Sequence, residues 1–174
     1  MRRDAGRQFD PDLLGLFEQE MSTRVPSEDR TVVAARTLER PLGTASDELT
    51  GVLLRRPFVE AASERLARLQ RSPNGDVWTL AVIDVDSFKS VNDTFGHLQG
   101  DDVLRAIARV LTDGVREFDL AGRYAGDEFV LFLRAGLREA VPVAERLRET
   151  VARLQIPLRG SEEGAVNVSL SIGL

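Results

Sequence analysis

Two short runs, almost wholly apolar, limit what this chain can fold into: Val77-Trp-Thr-Leu-Ala-Val-Ile83 and Phe129-Val-Leu-Phe-Leu133. Each has the length of a strand rather than a helix, and neither alternates strictly with polar residues. Both therefore read as sheet, the first as a central strand covered on both faces and the second as a buried strand. Acid borders each of them. The first continues into Asp84-Val-Asp86, and the second follows Arg123-Tyr-Ala-Gly-Asp-Glu128, two adjacent carboxylates behind an Ala-Gly turn signal.

Helical periodicity fills the space between. Phe58, Ala62, Leu66 and Leu69 recur at helical spacing until Ser72-Pro-Asn-Gly75 ends the pattern. Val103, Leu104, Ile107, Val110 and Leu111 mark a second helix, with Asp101 or Asp102 as its cap, and Ala140, Ala144, Leu147, Val151 and Leu154 mark a third. A short strand over 118–123 and a longer one over 128–134 place Ala125-Gly126-Asp127 at a hairpin tip. Val166, Val168, Leu170 and Ile172 alternate with Asn167, Ser169 and Ser171, which predicts one half-buried strand. The order of elements predicts an α+β sandwich, ferredoxin-like, with helices on a mostly antiparallel sheet.

Upstream, residues 1–21 read as a segment with a short helix from Pro11 to Glu20. Residues 22–46 contain Pro26, Pro41 and Gly43 and read as a linker with a short helix near 29–38. The main domain is expected over 47–174.

Composition excludes several classes. A chain of 174 residues, 43% hydrophobic, can bury one sizeable core. Its net charge of -5 argues against a general nucleic-acid binder. Without cysteine it has no disulfide framework and no thiolate metal site. No apolar run approaches the ~20 residues of a membrane span, and no signal-peptide pattern opens the chain, so a cytoplasmic protein is expected. Of 23 basic residues only Lys89 is lysine; it, the one histidine, His97, and the one tyrosine, Tyr124, all lie between Asp84 and Phe129.

If the first strand lies beside the hairpin, Asp84 and Asp127 come from neighbouring strand ends. Two close carboxylates repel unless a cation neutralises them. Mg²⁺ favours one or two protein carboxylates together with substrate phosphates, so the pattern suits metal-assisted phosphoryl or nucleotidyl transfer. The ordinary alternative is solvated acid at strand ends and turns. Against it stand Asp86-Ser-Phe-Lys89, Asn92-Asp-Thr-Phe-Gly-His97 and Gly100-Asp101, which follow at once.

These residues carry a family likeness. Asp84-Val-Asp-Ser-Phe-Lys-Ser-Val-Asn-Asp-Thr-Phe-Gly-His-Leu-Gln-Gly-Asp101 resembles the DxDxFKxxND..GH..GD signature of GGDEF domains, the diguanylate cyclases. Arg123-Tyr-Ala-Gly-Asp-Glu-Phe129 resembles their namesake loop, Ser169-Leu-Ser-Ile-Gly173 their SxSIG strand, and 47–51 their DxLTG opening. The resemblance implies a palm-type nucleotidyl cyclase fold in which two domains face each other, each holding one GTP, and condense them into cyclic di-GMP. It implies that Asp84, the Val85 carbonyl and Asp127 bind Mg²⁺ or Mn²⁺. Asn92 and Asp101 would read the guanine edge, and Lys89 and the Phe88 backbone would hold the phosphates. Ala125 and Gly126 would let the backbone approach the nucleotide, while Glu128 would assist at the metal or the attacking 3′-hydroxyl. His97, expected inside a turn, reads as structural support.

Arg116-Glu-Phe-Asp119 is similar to the family's RxxD inhibitory motif, whose Arg and carboxylate would take the cyclic di-GMP product. Arg146 occupies a position that often completes that site from a neighbouring domain; its alternative is a solvated helix face.

Departures from the pattern count too. Ala125 replaces the loop's first glycine, and Leu54 stands where the family has Asn. Such domains continue past the position of Leu174 with a Lys and an Arg that grip the triphosphate, so the domain is expected to be C-terminally incomplete. Residues 5–17 resemble the end of HD-GYP domains without their metal-binding histidines, which suggests part of a larger signalling protein. The alternative to an enzyme is a catalytically silent module that binds GTP or cyclic di-GMP.

Overall fold

In a computed structural model, the described residues are 45–69, 77–161 and 164–174. The expected helices near 11–20 and 29–38, the linker up to residue 44 and the stop at 72–75 lie outside them. Strand β1 (Leu53–Leu54) leads into helix α1 (Arg55–Leu69), followed by β2 (Thr79–Val85), α2 (Phe88–Phe95) and α3 (His97–Asp113). The hairpin β3 (Leu120–Ala125) and β4 (Glu128–Leu133) comes next, then α4 (Leu137–Ala152), β5 (Ile156–Pro157), β6 (Ala165–Val166) and β7 (Leu170–Gly173).

Five strands form one sheet in the order β1-β3-β4-β2-β7, antiparallel except where β1 runs parallel to β3. One face packs Ala81, Ile83, Val85, Phe129, Leu131 and Leu133 against α3 and α4, through Val103, Ile107, Leu111, Leu147 and Val151. The other packs Val130, Phe132, Leu120 and Tyr124 against Phe58, Val59 and Ala62 of α1. Burying a Phe such as Phe58 stabilises by roughly 1.5–3 kcal/mol.

The strand buried on both faces is β4, in the middle of the sheet. β2 begins two residues later than its apolar run; only one of its faces is sealed, and Trp78, Leu80 and Val82 stay half-buried beside α1. Trp78 stacks on Phe132 at 4.8 Å.

Three further expectations are corrected. The helix expected around 103–111, α3, begins at His97, because Gly96 at φ 82° redirects the chain from α2 straight into a new helix. Asp101 and Asp102 therefore lie within it and cap nothing, and His97 is its exposed first residue. The alternating run 166–172 is not one strand: Ala165–Val166 pairs with β5 in a separate two-stranded sheet, and only Leu170–Gly173 joins β2. Finally, Arg116–Asp119 is a turn, not the start of β3. Asp119 stops the strand by accepting hydrogen bonds from the backbone N–H groups of Arg116 (2.9 Å) and Arg134 (2.8 Å).

Candidate active site

The acidic end of the sheet is assembled by register. β2 and β4 pair so that Asp84 lies opposite Glu128, and β7 sets Ser171 opposite Asp84 on the other side. The hairpin register slips between Arg123 and Ala125, so Ala125 pairs with Glu128 and Gly126-Asp127 turn the tip. Gly126 has φ +42°, a conformation glycine adopts without a Cβ penalty, and the space beside its Cα is open.

Asp127 thereby reaches Asp84. Burial, then the charges of Asp127 and Asp86, push the Asp84 carboxyl up to about 6. Among the described residues these influences all push upward, and none is a cation. Asp86 is stabilised differently: it accepts hydrogen bonds from the hydroxyls of Ser169 (2.5 Å) and Ser171 (2.6 Å). The sequence reading assigned no role to Asp86, Ser169 or Ser171 beyond their motifs. A signal was present, since polar residues spaced by two put both hydroxyls on one face of an extended chain.

A divalent cation fits this donor set. Among the described residues no three acidic or histidine side chains surround one point. Two crowded carboxylates and the adjoining Val85 backbone suffice for a hard cation that completes its shell with phosphate oxygens and water.

Next to the acids, the chain turns through Ser87, whose φ of 57° is uncommon for a residue with a side chain, into α2. This helix was missed by the sequence reading; only Val91 in it is buried. It begins at Phe88 and Lys89, whose N–H groups, at a helix start, have no acceptor within the helix. Lys89 is exposed. Asn92 lies against Gly100, the residue before Asp101: a Cβ on Gly100 would stand 2.1 Å from Asn92 Oδ1 and 3.1 Å from the Phe88 ring. Tyr124 does not join them, being buried under Arg55 on the α1 face.

At the opposite end of the sheet, Arg116, Asp119 and Arg146 of the same chain line one open cleft of about 520 Å³, along with Arg134 and Glu139. Arg146 is exposed, and its Nη2 donates to the Gly114 carbonyl at 2.6 Å.

A helix-backed antiparallel sheet that presents paired acids at a hairpin tip defines a nucleotidyl-cyclase type of domain. The family model described as "Diguanylate cyclase, GGDEF domain" matches residues 44–174, and the chain belongs to that family. Diguanylate cyclase DosC of Escherichia coli is 38% identical over 128 residues, 73% of this chain and 27% of that protein. Response regulator PleD of Caulobacter vibrioides is 36% identical over 162 residues, 90% of this chain and 35% of that protein. The chain thus spans between about a quarter and a third of the length of these curated relatives. Among solved structures, the GGDEF domain of DgcB from Caulobacter crescentus in complex with c-di-GMP superposes with a TM-score of 0.70 at 29% identity, over 78% of each chain. Diguanylate cyclase SiaD of Pseudomonas aeruginosa, solved with its activator SiaC, gives 0.68 at 43% identity, over 76% of this chain and 50% of that one. The HD-GYP likeness of residues 5–17 falls outside both the matched range and the described residues. No helix among the described residues is long and apolar enough to cross a membrane.

Proposed function

We propose that this domain is a diguanylate cyclase: two copies, each holding one GTP, join them into cyclic di-GMP. Each 3′-hydroxyl attacks the α-phosphate of the other nucleotide, forming two phosphodiester bonds and releasing two pyrophosphates and two protons. The observation that carries this reading is the placement of Asp84 and Asp127 at neighbouring strand ends, where burial, then the charges of Asp127 and Asp86, raise Asp84 to about 6 with no cation among the described residues offsetting them. Such a pair is costly in the empty protein and becomes favourable around a bound charge.

Asp84, Asp127 and the Val85 carbonyl hold Mg²⁺ or Mn²⁺, which supplies charge neutralisation at the reacting phosphates. Asn92 and Asp101 read the guanine edge. Lys89 and the Phe88 N–H bind the triphosphate tail, and Ala125-Gly126 gives the backbone close approach. Glu128, opposite Asp84, orients the attacking hydroxyl or the metal shell. Product binds in the Arg116, Asp119 and Arg146 cleft, away from the acids, and holds domains in a non-facing arrangement. That the DgcB GGDEF domain crystallised with c-di-GMP supports the product assignment. Domains outside the matched range, in a longer cytoplasmic signalling protein, would supply the input.

A second reading rests on Ala125. Its methyl, where the family loop has glycine, would crowd the nucleotide and leave a silent module that binds GTP or cyclic di-GMP and signals through a partner. Incubating the chain with GTP and Mg²⁺ and separating the nucleotides distinguishes the two: cyclic di-GMP supports the enzyme, and bound but unconverted GTP supports the module.

A further inference from the structure

Gln99 is 1% exposed, a fully buried amide in a helix whose other buried residues are apolar or glycine. An amide in such a place is costly unless its polar atoms are paired. Gln99 Nε2 donates to the Pro157 carbonyl at 3.0 Å, and its Oε1 accepts from the Arg159 N–H at 2.9 Å. Those partners lie 58 and 60 residues away, at the end of β5 and two residues beyond it. The Arg159 side chain returns to the same helix, where its Nε and Nη2 both donate to Asp102, which Arg105 also contacts. Two clasps thus fall at positions 99 and 102 of α3. Asp101 sits between them, and its charge is felt by the Arg159 guanidinium.

We infer that Gln99 is a positioning residue for base recognition: by tying the 157–159 segment to the start of α3, its amide fixes the Asp101 carboxylate for the guanine edge. The inference rests on the GTP reading above. A carboxylate that accepts from N1–H and N2–H₂ together tolerates little rotation, whereas adenine offers no such donor pair. Loosening the helix start therefore removes guanine affinity selectively.

Equilibrium binding of 3′-deoxy-GTP and 3′-deoxy-ATP, which lack the attacking hydroxyl, tests this with Mg²⁺ on the whole chain. It is combined with hydrogen exchange at the Arg159 amide. Gln99→Met keeps the volume and removes both hydrogen bonds. The expected result is roughly tenfold weaker binding of 3′-deoxy-GTP, unchanged binding of 3′-deoxy-ATP, and faster exchange at Arg159. Equal loss for both nucleotides, or no loss, would overturn the inference while leaving the GTP reading intact. A wild-type protein with no preference for 3′-deoxy-GTP would instead overturn the reading itself, and this inference with it. Should Gln99→Met not fold, Asp102→Ala decides, since it opens only the partly exposed outer clasp. About threefold selective loss supports the role, and wild-type binding refutes it.

Discussion

Arg123 and Asp47, 76 residues apart, form an ion pair with Nη1 3.0 Å from Oδ1, both side chains largely shielded from water. The same guanidinium donates through Nε to the Gly126 carbonyl at 2.8 Å. One side chain therefore links the turn that opens the domain to the hairpin tip that carries Asp127. Asp47 is held further by the N–H and hydroxyl of Thr50 (2.9 and 2.6 Å). Although burial pulls the Asp47 carboxyl upward, these hydrogen bonds and the Arg123 charge outweigh it and set the net shift downward.

A double-mutant cycle with Arg123→Ala and Asp47→Ala should therefore give a coupling of about 1.5–3 kcal/mol in chemical denaturation. Because the Asp47 carboxyl is depressed in the fold, its contribution is present above the ordinary carboxylate range and fades as pH falls through its lowered value. Additivity within ~0.5 kcal/mol at neutral pH would mean the pair does not tie the two turns together.

At the other end of the link, Asp84 has the opposite sign. A carboxyl raised to about 6 favours the folded state only while protonated, so its contribution is present below about 3.8 and lost as pH rises through about 6. Asp84→Asn should accordingly stabilise the metal-free protein at pH 7.5. A shift of that size corresponds to about 3 kcal/mol, which solvent screening at a half-buried site reduces to roughly 1 kcal/mol. Thermal melts with chelator at pH 4 and 7.5 read this out. The advantage should vanish at pH 4, and a less stable variant at pH 7.5 would refute the crowding.

Gly100 lies against Asn92, the residue proposed for the guanine edge. Adding a methyl drives Asn92 Oδ1 from its place, because the two atoms would lie 2.1 Å apart. Asn92 can swing away at modest cost to stability, so Gly100→Ala should lower Tm by only a few degrees while raising KM for GTP about tenfold. An unchanged KM would remove Asn92 from base recognition.

In the remote cleft, Arg116→Ala should weaken cyclic di-GMP binding at least tenfold, since one charge-assisted phosphate contact is worth about 1.5–3 kcal/mol. Initial rates should stay at the wild-type level and product inhibition should be relieved. Equal affinities of the two proteins in calorimetry would reduce the motif to the turn that Asp119 already holds.

What could be read in the sequence and what could not divides along physical lines. The hairpin tip was legible because Ala-Gly interrupts two strand-forming runs, and the strand register then brings Asp84 to Asp127 as expected. Helix α2 was not. Phe88, Val91 and Phe95 stand at helical spacing in it, but it is only eight residues long with Val91 alone buried, and it starts from a left-handed serine that no local pattern announces. The run 166–172 keeps its alternating burial while its backbone partners change from β5 to β2, a switch that periodicity cannot register. Nothing local marks Gln99 as a buried tie, because its partners lie some sixty positions away.

The central claim is that Asp127, brought to Asp84 by the hairpin, is required for joining two GTP molecules. Its most direct test is the initial rate of cyclic di-GMP formation from GTP and Mg²⁺ by wild-type protein and Asp127→Ala at equal concentration, with circular dichroism verifying the fold of both. The account predicts product from the wild type, with two pyrophosphates per cyclic di-GMP, and loss of at least about a hundredfold, some 3 kcal/mol of barrier, in the variant. A correctly folded Asp127→Ala that turns over at near the wild-type rate would contradict it.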